Sequence, residues 1–363
     1  MFWFAIGAAL IPVVLWEAFE TIILPRRVTR RFRLTRLFYR FTWIPWAKAS
    51  RLVTARSREN YLSFYGPLSL IFLLVVWANG LIVGFALLHL GLQSHLSTGG
   101  PSDFATYLYV SGETFFTLGY GDIIATERVG RALSVVEAGM GFGFLAVVVG
   151  YLPVLYQSFS RREVTISLLD ARAGAPPTAA ELLRRHSHDH GMELLFELLH
   201  EWERWSAELM ESHLSYPVLS YFRSQHDNQS WLGALTAVLD TCSLVMVGLE
   251  GACERQAELT FAIARHAVVD IAQIFKAAPA KMVAERLPAH ELARLRAHLQ
   301  QQGLKLHEGA EADLRLRELR AMYEPYVASL AHYLYITLPP WIRAEKKRDN
   351  WQTTAWGTRE AGD

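Results

Sequence analysis

Long uncharged stretches alternate with short polar segments in roughly the first 160 residues, whereas the remainder mixes apolar and charged positions. The hydrocarbon core of a bilayer is about 30 Å thick and takes roughly 20 apolar residues as a helix. Three stretches are long enough to cross it: residues 2–24, 67–90 and 132–157. The pattern therefore predicts a membrane part with three spans, followed by a soluble part.

The segment 26–58 carries ten arginines, one lysine and no acid. Cytoplasmic loops are enriched in Lys and Arg, so this segment is predicted to lie in the cytoplasm and the N-terminus outside. We interpret it as a basic amphipathic linker on the anionic inner leaflet. The aromatic residues expected to enter the lipid are Phe32, Phe38, Phe41, Trp43 and Trp46.

A voltage-sensing helix is the alternative interpretation of this basic segment. Its arginines are spaced by three at Arg27, Arg30, Arg33 and Arg36. Polar residues interrupt the apolar positions between them, and the set of acid-bearing partner spans that a voltage sensor needs does not precede them, so the lipid-facing interpretation is preferred.

Between the second and third spans, the chain is predicted to leave and re-enter the same face of the membrane. Residues 104–116, about 13 in number, are too short to span but suit a re-entrant helix. The sequence ETFFTLGYGD follows at 113–122. Gly119 and Gly121 accept positive φ, so the backbone there can turn its carbonyl groups to one side. Rings of such carbonyls can replace the hydration shell of a potassium ion.

The stretch Thr117, Leu118, Gly119, Tyr120, Gly121 resembles the TVGYG selectivity filter of potassium channels, with leucine in place of valine. Asp122 extends the match. The order of outer helix, pore helix, filter and inner helix over about residues 67–157 also resembles the two-transmembrane pore-loop channels of bacterial type.

This resemblance implies that the filter residues bind K⁺ ions. It implies that Glu113 pairs with Asp122, and that Tyr120 packs behind the filter near Tyr109. Because such a filter needs four loops around an axis and the sequence holds one, the resemblance also implies a homotetramer.

The third span carries three features of interest. Gly141 matches the hinge glycine of related inner helices, while close packing against the pore helix is equally open. Pro153 frees a backbone carbonyl near the cytoplasmic end, which predicts either a gate or a simple bend. Glu137 is an intramembrane acid that either raises the cation concentration in the cavity or pairs behind the filter. Helical phase taken from the resemblance favours the second, and places these residues near the pore: Phe142, Leu145, Val149 and Pro153.

From about residue 163 onward the pattern is helical. A capping box is predicted at the start of one helix, with Thr178 as the N-cap and Glu181 reaching back. That helix is expected to run to His190, and one short strand is possible at 164–169. Further helices are predicted at 192–214, 217–226, 229–253, 256–277, 288–302 and 308–336.

His186 and His190 share a face at i, i+4 if that helix forms, which would suit a metal or pH-sensing site. The alternative is that they stabilise the carbonyl end of the helix as cations. Residues 231–249 are nearly long enough for a fourth span, but Asp240 lies at their centre. A buried helix of the soluble part is favoured there.

The fold class is thus predicted to be an all-α membrane protein, a tetrameric pore-loop channel with an all-helical cytoplasmic domain. The predicted domains are an N-terminal transmembrane helix (1–25), a basic cytoplasmic or interfacial linker (26–62), a pore domain (63–157), a helical cytoplasmic regulatory domain (158–340) and a flexible tail (341–363).

Function follows as passive, potassium-selective conduction in the bacterial inner membrane, gated by the inner helices and modulated by the helical domain. That domain has no Gly-rich nucleotide motif and no series of short strands, so its ligand and the gating stimulus stay open. No nucleophile–base arrangement indicates an enzyme, no organic cofactor is predicted, and a net charge of +1 gives no sign of nucleic-acid binding. Two alternatives are a membrane sensor with a vestigial pore and a subunit of a potassium uptake system.

Overall fold

The computed structural model describes residues 1–24, 33–98, 100, 102–226, 228–282, 284–343 and 350–352. Over these residues the chain is helical, and its only extended pairings are two isolated bridges, Leu96 with Ala125 and Leu249 with Leu306. The all-α prediction is therefore confirmed. The chain divides into two compact units, residues 1–157 and 158–363.

The first unit begins with α1 (Phe2–Ala18), which continues as a π-helical turn (Phe19–Ile23). The elements that follow are α2 (Leu34–Ala49), a 3₁₀ turn (Ser50–Leu52), α3 (Ala55–Ser63), α4 (Tyr65–Leu92), α5 (Phe104–Phe115) and α6 (Arg128–Ala173), whose C-terminal third belongs to the second unit. Four helical segments of the described chain are long and apolar enough to cross a membrane: Phe2–Ile23, Ser57–Leu92, Arg128–Ala173 and Trp231–Gly248.

Glycines bring α1 and α4 into close contact. A Cβ on Gly7 would lie 2.5 Å from the carbonyl oxygen of Gly84, and one on Gly84 would lie 2.6 Å from the side chain of Ile11. Small residues at helix crossings let backbones approach closely in membranes, where packing rather than hydrophobicity drives helix association. The first span is thus packed along the predicted outer helix.

The acids of the first span contact the start of α2. The carboxylate of Glu17 accepts hydrogen bonds from the Thr35 backbone N–H and hydroxyl, both at 3.1 Å. Glu20 accepts from the indole N–H of Trp16 at 2.7 Å and lies 3.9 Å from Arg33. A carboxylate at a helix N-terminus satisfies free N–H groups and the helix dipole.

The linker between the first two spans corrects one expectation. Trp43 is 2% exposed, with its ring centroid 4.8 Å from that of Tyr65, and Trp46 stacks on Tyr61 at 4.7 Å. Trp43 packs inside the protein instead of entering lipid, because Tyr65 of α4 lies beside it, whereas Trp46 is half-buried against Tyr61 of α3. Phe41 is exposed as predicted. Residues 26–32 of the predicted basic segment, which include Arg27, Arg30 and Phe32, lie outside the described residues.

The second unit contains, after the end of α6, the helices α7 (Ala179–Arg185), α8 (Gly191–Ser215), α9 (Trp231–Gly248), α10 (Glu254–Ile274), α11 (Ala289–Gln301), α12 (Ala310–Ala321) and α13 (Glu324–Leu334), with 3₁₀ turns at Pro217–Tyr221 and Asn350–Gln352. Most of the predicted tail, 341–363, lies outside the described residues.

Several predictions for this unit were wrong. Residues 164–169 form no strand, because α6 continues through them to Ala173. The helix predicted at 308–336 is two helices, which break at Met322 and Tyr323 ahead of Pro325. The segment 217–226 is only a 3₁₀ turn, which begins at Pro217.

α9 occupies the centre of the second unit. Every residue from Trp231 to Val245 is buried. Asp240, at its middle, accepts hydrogen bonds from Arg286 at 3.1 and 2.7 Å and from the Tyr323 hydroxyl at 2.5 Å. A buried charge is tolerated when it is paired and hydrogen-bonded. The contacts with Arg286 and Tyr323 therefore account for an acid at the centre of such an apolar helix. The observation agrees with a buried helix of the bundle.

Candidate functional site

The pore helix α5 begins and ends at well-defined caps. At its start, the Asp103 carboxylate accepts from the Thr106 N–H at 2.9 Å and from the Thr106 hydroxyl at 2.7 Å. At its end, the Leu118 N–H donates to the Glu113 carbonyl at 2.9 Å and the Thr117 N–H to the Thr114 carbonyl at 3.1 Å. This pair of bonds is a Schellman motif, whose left-handed position normally holds glycine.

Threonine occupies that left-handed position, with φ of 56° at Thr117. Positive φ in a β-branched residue is a true outlier, and such strain concentrates at functional sites. Sequence reasoning missed it, because the only signal would have been a glycine and the position holds threonine.

Positive φ recurs at every second residue of the filter segment. Gly119 has φ of 65° and Gly121 of 72°, whereas Leu118 and Tyr120 between them have negative φ. Alternation of positive and negative φ allows successive carbonyl groups to point to the same side of the chain. An alternation of this kind is compatible with a row of carbonyl oxygens from Thr117 to Gly121.

The two acids that flank the filter make separate contacts. Glu113 Oε1 accepts a hydrogen bond from the Gly121 N–H at 3.1 Å, and the Asp122 carboxylate accepts from the Tyr109 hydroxyl at 3.2 and 3.0 Å. Among the described residues Glu113 and Asp122 share no hydrogen bond, which corrects the pairing implied by the resemblance. Both contacts instead connect the pore helix to the outer end of the filter.

The side chain of Tyr120 is 71% exposed, and within the described chain its ring contacts no other ring. Within one chain its ring therefore does not stack on that of Tyr109, and the expected packing behind the filter stays a prediction for the assembled protein. All five filter residues are exposed in the single chain.

Two contacts one helical turn apart connect α6 to the pore helix. Glu137 is fully buried and is hydrogen-bonded to the Ser111 hydroxyl. A Cβ on Gly141 would lie 1.9 Å from the carbonyl oxygen of Phe115. Of the alternatives for these residues, the observed contacts correspond to pairing behind the filter for Glu137 and close packing for Gly141. Ser111 was missed because serine in an apolar helix carries no distinctive sequence signal.

α6 is continuous past both Gly141 and Pro153. Pro153 is exposed, as are the residues predicted to lie near the pore: Phe142, Leu145 and Val149, whose side chains are 69%, 58% and 63% exposed. These side chains form an apolar face that their own chain leaves uncovered.

The predicted histidine site does not form. α7 ends at Arg185, before His186, and His190 has a left-handed backbone at the start of α8, so the two never share a helical face. His186 is buried with Nδ1 bonded to the Leu182 carbonyl at 2.7 Å, whereas His190 lies at the surface beside Glu193. In the described part of the chain, no three His, Cys, Asp or Glu residues are grouped as metal ligands.

The capping box preceding these histidines is half confirmed. The Thr178 hydroxyl accepts from the Glu181 N–H at 3.2 Å, as predicted. The Glu181 carboxylate bonds to Arg184 and Arg185 instead of reaching back. Although burial opposes it, these arginines lower the pKa of Glu181 to about 2.

Comparison with known proteins agrees with this geometry. Residues 71–157 match the family model Ion_trans_2, described as an ion channel. This match covers the segment from within α4 through the filter to the end of the part of α6 that lies in the first unit. It supports an ion-channel function for this part of the chain.

Two curated proteins are similar to the chain. Protein LctB of Geobacillus stearothermophilus is 33% identical over 90 residues, which are 22% of this chain and 66% of LctB. The uncharacterized membrane protein YdjJ of Bacillus subtilis (strain 168) is 22% identical over 210 residues, 57% of this chain and 59% of YdjJ. The chain thus spans less than two thirds of either relative. No solved structure matches it. The apolar helices and these matches indicate a multi-pass membrane protein.

Proposed function

We propose that the protein is a potassium-selective channel that conducts passively as a homotetramer. The observation that carries this proposal is the alternation of positive φ at Thr117, Gly119 and Gly121 within a sequence that resembles a potassium filter. K⁺ ions are then the transported species, bound by the backbone carbonyls and the Thr117 hydroxyl. The protein acts in transport and not as an enzyme.

Uncovered surfaces support the fourfold assembly. Tyr120 has no ring partner within the described chain, and Phe142, Leu145 and Val149 present an apolar face with no cover. Monomeric proteins rarely expose contiguous apolar surface, which usually marks an interface or a membrane contact. In a tetramer, Tyr120 packs against a neighbouring pore helix and the apolar face of α6 lines the cavity.

The inner-membrane location, the cytoplasmic side of the second unit and contact of 26–58 with anionic lipid belong to the same proposal. The ten arginines of that segment support them through the positive-inside rule. Gating by α6 near Gly141 and Pro153, with modulation by the helical unit, is likewise proposed because α6 contributes residues to both units.

Flux from liposomes tests the proposal. Vesicles that contain the purified full-length protein are expected to release K⁺ when loaded with K⁺, and to release Na⁺ far more slowly when loaded with Na⁺. Ba²⁺ is expected to block the K⁺ release. Gly119→Ala is expected to abolish the flux, because alanine at φ of 65° strains the filter.

Gly303→Ala is the matched control. Its φ is 79°, and at both glycines an added Cβ would meet no atom within 4 Å, but Gly303 lies in the second unit. Equal Na⁺ and K⁺ release by the unaltered protein, or equal loss of flux in both variants, would refute the proposal.

A further inference from the structure

Three helices meet at the hydroxyl of Ser111. Its Oγ lies 2.7 Å from the carbonyl oxygen of Ile82 on α4 and is hydrogen-bonded to Glu137 Oε1 on α6. Ser111 itself is on the pore helix α5. All of this lies in the first unit, where the side chain of Glu137 is 0% exposed.

Counting protons assigns the charge state of Glu137. A serine hydroxyl has one proton to donate, and a backbone carbonyl can only accept. The contact between Ser111 and Ile82 therefore uses the serine proton. The proton in the contact between Ser111 and Glu137 must then come from the carboxyl group, which is neutral.

The second oxygen of Glu137 leads to the same conclusion. Oε2 is buried and has no hydrogen-bond partner among the described residues. Within the same residues, no basic side chain forms an ion pair with Glu137. An ionised carboxylate buried without donors is strongly disfavoured. Glu17 provides the contrast, because it is also buried but its Oε2 accepts hydrogen bonds from both the N–H and the hydroxyl of Thr35.

Several other titratable groups on the helices around Glu137 make their own contacts elsewhere. On α4, His89 contacts Ser94, and on α6 Arg131 donates to the Ala125 carbonyl. On α5 the groups are Tyr107, Tyr109 and Glu113, bonded to Ser94, Asp122 and Gly121 respectively. On α1, Glu17 and Glu20 contact Thr35 and Trp16. These groups thus have partners other than Glu137, whose own hydrogen-bond partner among the described residues is Ser111.

We propose that Glu137 is a proton-binding positioning residue for the filter, and that loss of its proton lowers conduction. The proposal rests on the channel function proposed above. Glu137 and Gly141 lie one turn apart on α6 and contact Ser111 and Phe115, one turn apart on α5. Phe115 is two residues before Thr117, so this pair of contacts fixes the end of the pore helix from which the filter begins.

Deprotonation rearranges these contacts in a defined way. At alkaline pH the carboxyl proton of Glu137 passes to water or hydroxide. The Ser111 hydroxyl then donates its hydrogen bond to the Glu137 carboxylate instead of to the Ile82 carbonyl. The bond between α4 and the pore helix is lost, and a buried anion remains behind the filter. Alkaline pH is therefore expected to decrease K⁺ flux.

Infrared spectroscopy of the full-length protein in lipid tests the charge state without requiring conduction. The wild-type spectrum minus that of Glu137→Gln is expected to contain the carbonyl band of a protonated carboxylic acid at neutral pH, and to lose it at alkaline pH. The difference between wild type and Glu17→Gln is expected to lack the band. If the band is absent from the Glu137 difference at neutral pH, the proposal is overturned whatever the flux.

Flux measured over the same pH range tests the coupling. Wild type and Glu17→Gln are expected to lose K⁺ flux as the band disappears. Glu137→Gln, whose amide still donates to Ser111, and Ser111→Ala, which removes the switching hydroxyl, are expected to lose the pH response. An unchanged pH response in both would overturn the proposal. A band that behaves as expected with no K⁺ flux from any variant would uphold the proton site and contradict the channel function.

Discussion

Glu113 on the pore helix accepts a hydrogen bond at 3.1 Å from the backbone N–H of Gly121, the last residue of the filter segment. The same residue's carbonyl accepts from the N–H of Leu118 at 2.9 Å. One residue therefore holds both the beginning and the end of the filter, the first through its backbone and the second through its side chain.

Replacing the Glu113 carboxylate tests this support. Glu113→Ala leaves the Gly121 N–H without its acceptor, a loss of about 0.5–1.5 kcal/mol for a typical hydrogen bond. We expect the ratio of K⁺ to Na⁺ flux in liposomes to fall. Glu113→Gln keeps an acceptor oxygen and is expected to retain most of the selectivity. Equal selectivity in the alanine variant and the wild type would contradict this role.

The close contact between Gly141 and Phe115 predicts that one methyl group added at position 141 lowers the thermal stability of the protein. In Gly141→Ala the new Cβ meets the Phe115 carbonyl oxygen at 1.9 Å, whereas in Gly143→Ala it meets no atom within 4 Å. Overpacking costs typically about 1–3 kcal/mol. Gly141→Ala should unfold at a lower temperature than wild type in detergent, whereas Gly143→Ala should match or exceed wild type, since alanine favours helix. Similar melting temperatures for the two variants would count against the contact.

Arg162 holds the part of α6 that lies in the second unit. Its buried guanidinium donates to the carbonyls of Leu219 at 2.9 Å and Phe222 at 2.8 Å. Arg162→Ala leaves both carbonyls unsatisfied, at roughly 1–3 kcal/mol each. Hydrogen exchange in the 217–222 segment is expected to accelerate in this variant. The exposed neighbour is the control, because Arg161→Ala should leave exchange unchanged.

Burial, and secondarily the charge of Arg162, lowers the pKa of His213 well below its usual value. The folded protein then binds fewer protons than the unfolded chain below about pH 6.5, so stability falls as pH decreases through that value. Burial also lowers the pKa of His186, which adds to the same trend. His213→Gln should therefore make the decrease shallower without abolishing it, as measured by thermal unfolding of the full-length protein from pH 7.5 to 5. His200→Gln, at an exposed position, should leave the slope unchanged.

The spans and the pore-loop segment could be predicted because long apolar runs and glycine spacing are local properties of the sequence. The caps followed from sequence where the usual residues occupy them, as Thr178 does. The left-handed Thr117 could not be predicted, because threonine stands where glycine is usual. The burial of Trp43 depends on Tyr65, which is distant in sequence. The break at Met322 and Tyr323 was missed although Pro325 follows it, because helix-favouring residues lie on both sides.

For the acidic residues too, position along the chain could be predicted from sequence, whereas the contact partners could not. That Glu137 lies within a span is evident from sequence, but its partner Ser111 depends on how α5 packs on α6. The expected pair of Glu113 and Asp122 was replaced by contacts to a backbone N–H and a tyrosine, which no local pattern encodes.

The reversal potential of a planar bilayer with K⁺ on one side and Na⁺ on the other is the most direct test of the central claim. Four filters with carbonyl oxygens directed inward should hold the potential close to the K⁺ equilibrium value, and Gly119→Ala should remove the current. A potential near zero with sustained current would mean that Na⁺ passes as readily as K⁺, and the account of residues 117–121 as a potassium filter would be wrong.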